Sequence, residues 1–407
     1  MITYEEALKK VLESCIVLQK EGIPILESLN CILAQDIISE DNIPVNDNSA
    51  MDGYAVMSAD LTGAEKASPV ALKKYDYDIP AGELGRHEIK KGGCIKIMTG
   101  APVPAGCDCV VKKEDVVIRE NEILFFKEHV VFENIRHKGE DIKKGETVFK
   151  EGLGIDPALI GVLASLGMKD VLTFKPPVAG IISTGNELVE IDESLIFGMV
   201  RDSNSYSLAS QLKEAGAQYI RYGIIKDNKT DLKKAIEKAT GECDLVLISG
   251  GVSVGDYDYI KEILNETGAR EIFWGVKQKP GKPLAFYKHD EIPIFGLPGN
   301  PVSVMVCFEL YVRPLIRKMM GHQDLFRKTI NAKALEQFKH EPGRTEFVRV
   351  KIKQDEYGNY FAGITGEQGS GILTSMAAAD GIAQIDEDKK EIIKGENLKV
   401  YLIKNGL

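Results

Sequence analysis

Three glycine-bearing loops and one lysine-rich turn hold the residues of this sequence that could do chemistry. Ser183-Thr184-Gly185-Asn186-Glu187, Ser249-Gly250-Gly251-Val252-Ser253-Val254-Gly255 and Gly296-Leu297-Pro298-Gly299-Asn300-Pro301 each end an apolar, strand-like run. Glycine lets a backbone approach a ligand closely and point N–H groups at an anion. The last two loops lead into helical segments, whose N-termini favour phosphate. One such loop alone reads as a tight turn; three on one sheet read as a site for a phosphate-bearing ligand. Lys277, Lys279 and Lys282 fall within six residues, stiffened by Pro280 and Pro283. That run is either a solvated surface or a preorganised oxyanion clamp. Glu187, Asp256 and Asp258 flank the same loops. Carboxylates facing a phosphate need a cation between them, and hard oxygen donors suit Mg2+. Two nucleotide motifs fail. The stretch GVKQKPGKP at 275–283 has one residue too many for a Walker A loop and ends in proline, and no GxGxxG follows the first strand of this region.

The elements that must position these loops alternate. Residues 178–183, 219–225, 244–249, 272–276, 284–287 and 292–295 read as strands, and 204–215, 231–240, 258–267 and 301–320 as helices. That order predicts a doubly wound, mostly parallel sheet with ligands beyond its carboxyl edge. Upstream, Thr3 and Glu6 form a capping box for a helix over 4–18, and 43–55 reads as a polar loop. Short β-branched runs at 94–98, 109–111, 116–119 and 123–127 predict a small β domain. A helix at 157–166 and a strand at 171–174 precede the linker-like Pro176-Pro177. Beyond 321, runs at 329–334, 346–353, 360–364, 382–385 and 398–403 predict a terminal barrel or sandwich. The expected fold class is multi-domain α/β plus β. Its expected divisions are 1–55 with 146–176 (helical linker region), 56–145 (inserted β domain), 177–322 (α/β) and 327–407 (β-barrel-like).

Composition narrows the function classes. The 407 residues are 44% hydrophobic, enough to build cores, which excludes a disordered chain. With 51 Lys and Arg against 61 Asp and Glu, the net charge is −10, which argues against nucleic-acid or anionic-membrane partners. No run of about 18 uncharged apolar residues occurs, and the start MITYEEALKK is no signal sequence, so a cytoplasmic location is expected. The seven cysteines form no CxxC pair and the six histidines no HxH or HxxxH pair. Free thiols and no structural zinc site are expected.

The motifs also form a set. DNSAMDGYA at 47–55, IMTGAP at 97–102, STGNEL at 183–188, DSN at 202–204, SGGVSVGD at 249–256, KPGKP at 279–283, GLPGNPVS at 296–303 and GEQGS at 366–370 run in that order through nearly the whole chain. In this combination the sequence resembles the molybdopterin molybdenumtransferases, the MoeA and gephyrin E-domain family. The resemblance implies an elongated multi-domain protomer and a homodimer whose partner N-terminal segments complete the cleft. It also implies insertion of molybdate into adenylylated molybdopterin with release of AMP, assisted by Mg2+, and transient contact with the adenylyltransferase and with apo-molybdoenzymes.

The same resemblance assigns roles position by position. Ser249, Gly250, Gly251, Ser253 and Gly255 match the pterin-phosphate cradle, with Pro298 and Pro301 among the binding positions. Glu187 and Asp258 match the carboxylates that hold the cation, Asp258 also being catalytic. Lys279 and Lys282 match catalytic positions around the oxyanion, joined by Ser303, Arg349 and Ser370. Asp52 and Thr99 match functional positions of the N-terminal segment, and Asp227 an acidic position of the α/β domain. Three positions depart from the pattern common among relatives: Gly275 stands after Trp274 in place of Lys, Asp256 in place of Glu, and Asn186 in place of Asp. Two other readings remain. A molybdopterin adenylyltransferase would share the α/β domain but not the flanking segments, and a non-enzymatic pterin-binding scaffold would be expected to carry a long linker or second module.

Overall fold

The first helix begins as the sequence requires. Thr3 Oγ1 accepts the Glu6 N–H at 3.2 Å, and the Glu6 carboxylate accepts the Thr3 N–H at 3.0 Å. The helix α1 spans Tyr4–Glu13, five residues short of the expected end at Leu18. Ser14 Oγ donates back to the Lys10 carbonyl, and the Leu18 N–H is taken by the Met319 carbonyl instead of its own turn. Tyr4, Ala7 and Val11 form the buried stripe, and the Tyr4 ring meets Tyr311 and Phe347 edge-on at 5.7 and 5.1 Å.

The computed structural model describes residues 1–83, 87–251 and 259–404. Contacts divide the chain into two units, Met1–Ala34 with Gly152–Ile160 and Lys169–Leu407, and Gln35–Glu151 with Gly161–Met168.

The first unit contains the α/β sheet. Its elements are β1 (Val178–Thr184), α2 (Asn204–Ala215), β2 (Gln218–Ile225), α3 (Lys229–Glu242), β3 (Leu245–Ser249), α4 (Tyr259–Glu266), β4 (Arg270–Trp274), β5 (Ala285–His289) and β6 (Ile292–Leu297). The strand order is β2-β1-β3-β6-β5-β4. β3 is buried at every residue, as a strand covered on both faces must be. β2, β1, β3 and β6 are mutually parallel, whereas β5 runs antiparallel to both β6 and β4. β4 therefore points the same way as β6. Its last residue Trp274 lies opposite Ala285, which lies opposite Gly296. The lysine turn thus leaves the sheet at the same edge as the three glycine loops.

The expected single helix over 301–320 is interrupted. It consists of α5 (Pro301–Cys307), a π-helical turn Phe308–Val312 and α6 (Arg313–Met319). Pro314 has no N–H to continue the regular ladder, and the backbone widens just before it.

Five further strands of this unit are β7 (Thr329–Ala334), β8 (Thr345–Gln354), β9 (Tyr360–Ile364), β10 (Gly381–Ile385) and β11 (Asn397–Leu402). They follow the order β8-β9-β7-β11-β10, and β10 pairs back onto β8, closing a five-stranded barrel without open edges. The short strand Gln278–Lys279 pairs in parallel with β8, placing Lys279 opposite Glu346.

The second unit is built on a six-stranded sheet of Gly53–Val56, Val70–Ile79, Gly93–Ile97, Cys109–Lys112, Val116–Arg119 and Glu122–Phe125. Residues 53–55, expected at the end of the 43–55 loop, form with Val56 a fully buried strand between two neighbours. Among the described residues, no helix is long and apolar enough to cross a membrane.

Removing the cap tests the first element. Thr3→Ala is expected to lower stability by about 1 kcal/mol, read by urea denaturation of the unit that carries α1. An unchanged midpoint would show that the capping box contributes nothing in solution.

Candidate functional site

Side-chain bonds tie the loop after β1 to its neighbours. Ser183 Oγ donates to the buried Asp202 at 2.7 Å, and the other Asp202 oxygen accepts the Ser205 N–H at 3.0 Å at the start of α2. Thr184 Oγ1 donates to Asp227 Oδ1 at 2.8 Å, and Asn186 Oδ1 accepts the Asp227 N–H at 3.2 Å. Asp227 therefore fastens the end of β1 to the loop after β2, and Asn186 completes that link as a neutral acceptor. Glu187 stands exposed at the loop tip.

Asn204 joins the second and third loops. Its Nδ2 donates to Ser249 Oγ at 2.9 Å and to the Gly299 carbonyl at 2.8 Å. Its Oδ1 is buried and has no hydrogen-bond partner among the described residues. The sequence marks Asn204 as part of a motif but supplies no role; the signal was its position at the start of a helix that opens beside the loops. Gly250 is the residue that lets these loops meet. A Cβ there would lie 2.3 Å from the Thr184 carbonyl oxygen, and φ is +95°. Its N–H donates to the Leu297 carbonyl at 3.2 Å. Gly251 follows it at the mouth of the loop. Pro298 is buried, Pro301 occupies the first turn of α5, and Ser303 is buried in that helix. Ser253, Gly255, Asp256 and Asp258 lie outside the described residues.

The barrel contributes the 366–370 loop. Asn300 Nδ2 donates to Ser370 Oγ at 3.0 Å, and the Val302 N–H donates to the Ser370 carbonyl at 3.1 Å. Arg349 is fully buried behind that loop. Its guanidinium donates to Ser375 Oγ at 2.8 Å and to the carbonyls of Glu367 and Gly369 at 3.2 and 3.1 Å. Burial pulls its pKa down, with Glu346 acting in the opposite direction. Arg349 thus shapes the loop that carries Ser370.

The lysine turn is anchored from beneath by a residue that sequence reasoning missed. Buried Gln278 donates from Nε2 to the Pro280 carbonyl at 3.0 Å, and its Oε1 accepts the Tyr311 hydroxyl of the π-helical turn. Gly281 packs so tightly that a Cβ would lie 2.5 Å from Cys307 Sγ. Lys279 is partly exposed and its Nζ lies 2.9 Å from Glu346 Oε1. Lys282 is exposed. Together these bonds bring Thr184, Ser249, Gly250, Pro298, Asn300 and Ser370 into one cluster, with the lysine turn on the same sheet edge. The arrangement gathers the loop ends and the ammonium groups at the carboxyl edge, where an open α/β sheet takes its ligands.

In the second unit, Asp52 and Thr99 form a pair. The Asp52 carboxylate accepts the Thr99 N–H at 2.9 Å and Thr99 Oγ1 at 2.8 Å, and Lys113 Nζ lies at 3.5 Å. The Thr99 backbone bond, then its hydroxyl bond, hold the Asp52 carboxyl below the usual range.

Known proteins share this whole arrangement of segments. Residues 2–167 match the family described as MoeA N-terminal region (domain I and II), residues 180–318 the probable molybdopterin binding domain, and residues 331–403 the MoeA C-terminal region (domain IV). A molybdopterin molybdenumtransferase of Haemophilus influenzae is 36% identical over 403 residues, covering 98% of each chain. The chain belongs to the MoeA family of molybdopterin molybdenumtransferases. A Staphylococcus epidermidis member is 33% identical over 405 residues, covering 98% of this chain and 95% of that one. A molybdopterin biosynthesis MoeA protein crystallised from Pyrococcus horikoshii superposes with a TM-score of 0.88 at 33% identity over the full length of both chains. As a MoeA-family member, the enzyme is a transferase of molybdenum cofactor biosynthesis, and the multi-domain α/β-plus-β reading holds.

The Asp52–Thr99 pair has a measurable consequence. A carboxyl whose folded pKa is depressed adds stability above its unfolded pKa of about 3.9 and loses it as pH falls through the lower folded value. Thr99→Val removes the hydroxyl donor and keeps the backbone N–H. The Asp52 titration midpoint, followed by carboxyl NMR, should rise part of the way toward the ordinary value. A midpoint that stays in place would remove the hydroxyl from this account.

Proposed function

We propose that this enzyme inserts molybdate into adenylylated molybdopterin, forming molybdenum cofactor and releasing AMP. The observation that carries this reading is the cluster at the carboxyl edge of the α/β sheet, where the glycine loops and the Ser370 loop are tied together and the lysine turn leaves the same edge, paired to the barrel strand β8. The family names of the relatives support the pterin and the metal.

The residues suit the two anions. In this reading the Ser249-Gly250-Gly251 loop, with Ser253 and Gly255 further along the motif, forms the phosphate cradle; Gly250 commits its own N–H to Leu297 and serves by its lack of a side chain, and Pro298 and Pro301 shape the adjoining turn at the N-terminus of α5. Lys279, Lys282, Ser303 and Ser370 bind the tetrahedral oxyanion, and Arg349 fixes the loop that presents Ser370. Asp227 positions the first loop through Thr184, and Asp52 with Thr99 acts as the functional pair of the N-terminal segment. Such donors stabilise charge that develops on phosphoanhydride oxygens.

The donor set also fits Mg2+. Glu187 offers an exposed carboxylate, and Mg2+ is commonly held by one or two carboxylates plus substrate phosphate oxygens. Glu187 with Asp258 would hold the ion, which supplies charge neutralisation at the phosphoanhydride when bound.

We further propose a cytoplasmic homodimer and the four-part division 1–55 with 146–176, 56–145, 177–322 and 327–407. All seven cysteines are free, in keeping with a reducing compartment. Ile191, Leu195, Ile196, Phe197 and Val200 are exposed along one segment, an apolar cluster of the kind a partner subunit covers. The closed barrel and the α/β sheet support the last two divisions.

Incubation with adenylylated molybdopterin, Mg2+ and molybdate should release AMP and yield cofactor that reconstitutes an apo-molybdoenzyme. Release of pyrophosphate from ATP with molybdopterin would instead identify an adenylyltransferase. Lys282→Ala should raise the molybdate KM by about 10- to 100-fold, the loss of one charge-assisted hydrogen bond, with the circular dichroism spectrum unchanged. A folded variant with the parental KM would take Lys282 out of the oxyanion site.

A further inference from the structure

Lys279 is held at its head by a buried carboxylate that no sequence motif points to. Glu346 Oε1 lies 2.9 Å from Lys279 Nζ, with the lysine side chain 44% and the glutamate 9% exposed. The second oxygen, Oε2, lies 2.7 Å from Nδ1 of His340, whose side chain is 1% exposed. Facing a carboxylate, Nδ1 carries the proton and donates. The other ring nitrogen, Nε2, is buried and has no hydrogen-bond partner among the described residues, so among them Glu346 is the polar contact of the imidazole ring. The backbone sets the same geometry, because Lys279 and Glu346 are opposite one another in the parallel pairing with β8.

Lysine carries a compact charge on a flexible stem, and an exposed surface ion pair of this kind contributes little by itself. The pair here differs in that one partner is buried and fastened. Gln278 fixes the backbone of the turn, and Glu346, braced by His340, fixes the ammonium at the far end of the same side chain. Lys282, the other lysine proposed at the oxyanion, is exposed and makes no ion pair among the described residues. The two lysines therefore differ in role. One ammonium is held in place, and the other supplies charge that no carboxylate offsets among the described residues.

We propose that Glu346, anchored by His340, is a positioning residue that sets where Lys279 meets the oxyanion. This rests on the oxyanion role proposed above for Lys279. Holding the ammonium in place before the anion arrives lowers the ordering cost of binding, so its loss appears in the molybdate KM ahead of kcat.

The test is a double-mutant cycle on the full-length enzyme at saturating adenylylated molybdopterin, with molybdate varied and unfolding midpoints recorded. Lys279→Ala should raise the molybdate KM by about tenfold or more, and Glu346→Gln by about three- to tenfold with kcat within about twofold. The double variant should be no worse than Lys279→Ala alone, because the two residues act as one unit. His340→Phe should behave like Glu346→Gln, whereas His340→Gln, which keeps an N–H donor, should restore the parental KM. Should Glu346→Gln fail to fold, the two His340 variants decide the matter. A normal KM in Glu346→Gln or His340→Phe beside a raised KM in Lys279→Ala would overturn the positioning role alone. Additive effects in the double variant would overturn it too. A normal KM in Lys279→Ala would instead overturn the oxyanion reading of Lys279, and the inference with it.

Discussion

The site depends on the approach of the Gly250 backbone to the Thr184 carbonyl. At that distance no side chain fits, and φ at Gly250 is one that L-residues rarely adopt. The contact lets the ends of β1 and β3 share one edge with the end of β6, whose Leu297 carbonyl takes the Gly250 N–H. Everything else is built on this spacing. Asn204 bridges Ser249 and Gly299 with one amide, and Asn300 carries the connection outward to Ser370 of the barrel loop. A chain of single hydrogen bonds can serve as a scaffold because each donor is committed and the strands beneath are buried.

The acidic residues divide by burial. Asp202 is enclosed and commits both oxygens to Ser183 and the start of α2, and Glu346 divides its oxygens between Lys279 and His340. Glu187 is exposed at a loop tip. A buried carboxylate has to be fully bonded, whereas an exposed one keeps its water and can exchange it for a ligand. The same division separates the cations: Arg349 is buried behind a loop, and Lys282 stands in solvent. A net charge of −10 does not preclude a local cationic feature, and three lysines fall within the six residues 277–282 of one turn.

The sequence made much of this legible. The alternating apolar runs of the α/β region placed β1, β3 and β6, and the strands of the barrel, to within a few residues. It missed Val70–Ile79 because its KKYDYD stretch is polar, as suits a strand with one face toward water. It read 43–55 as a loop because Gly53 and the preceding polar run look like turn chemistry, although 53–56 is buried. It overran α1 and did not foresee the π-helical turn, since both endings depend on long-range partners, such as the Met319 carbonyl that takes the Leu18 N–H. The motif residues were visible by type, but not which of them would touch a ligand and which would hold a neighbour.

Local pattern and motif order determined the family and the order of strands and helices, and named the candidate residues for the proposed site, because periodicity and glycine or proline chemistry act over a few neighbouring positions. Tertiary structure alone decided that Arg349 and Asp202 are interior braces, that Gln278 anchors the lysine turn, and that Asn204 joins two loops. It also decided that Glu346 stands opposite Lys279, 67 residues away in sequence, since strand pairing between distant segments is set by the register of the whole barrel and by no short-range signal.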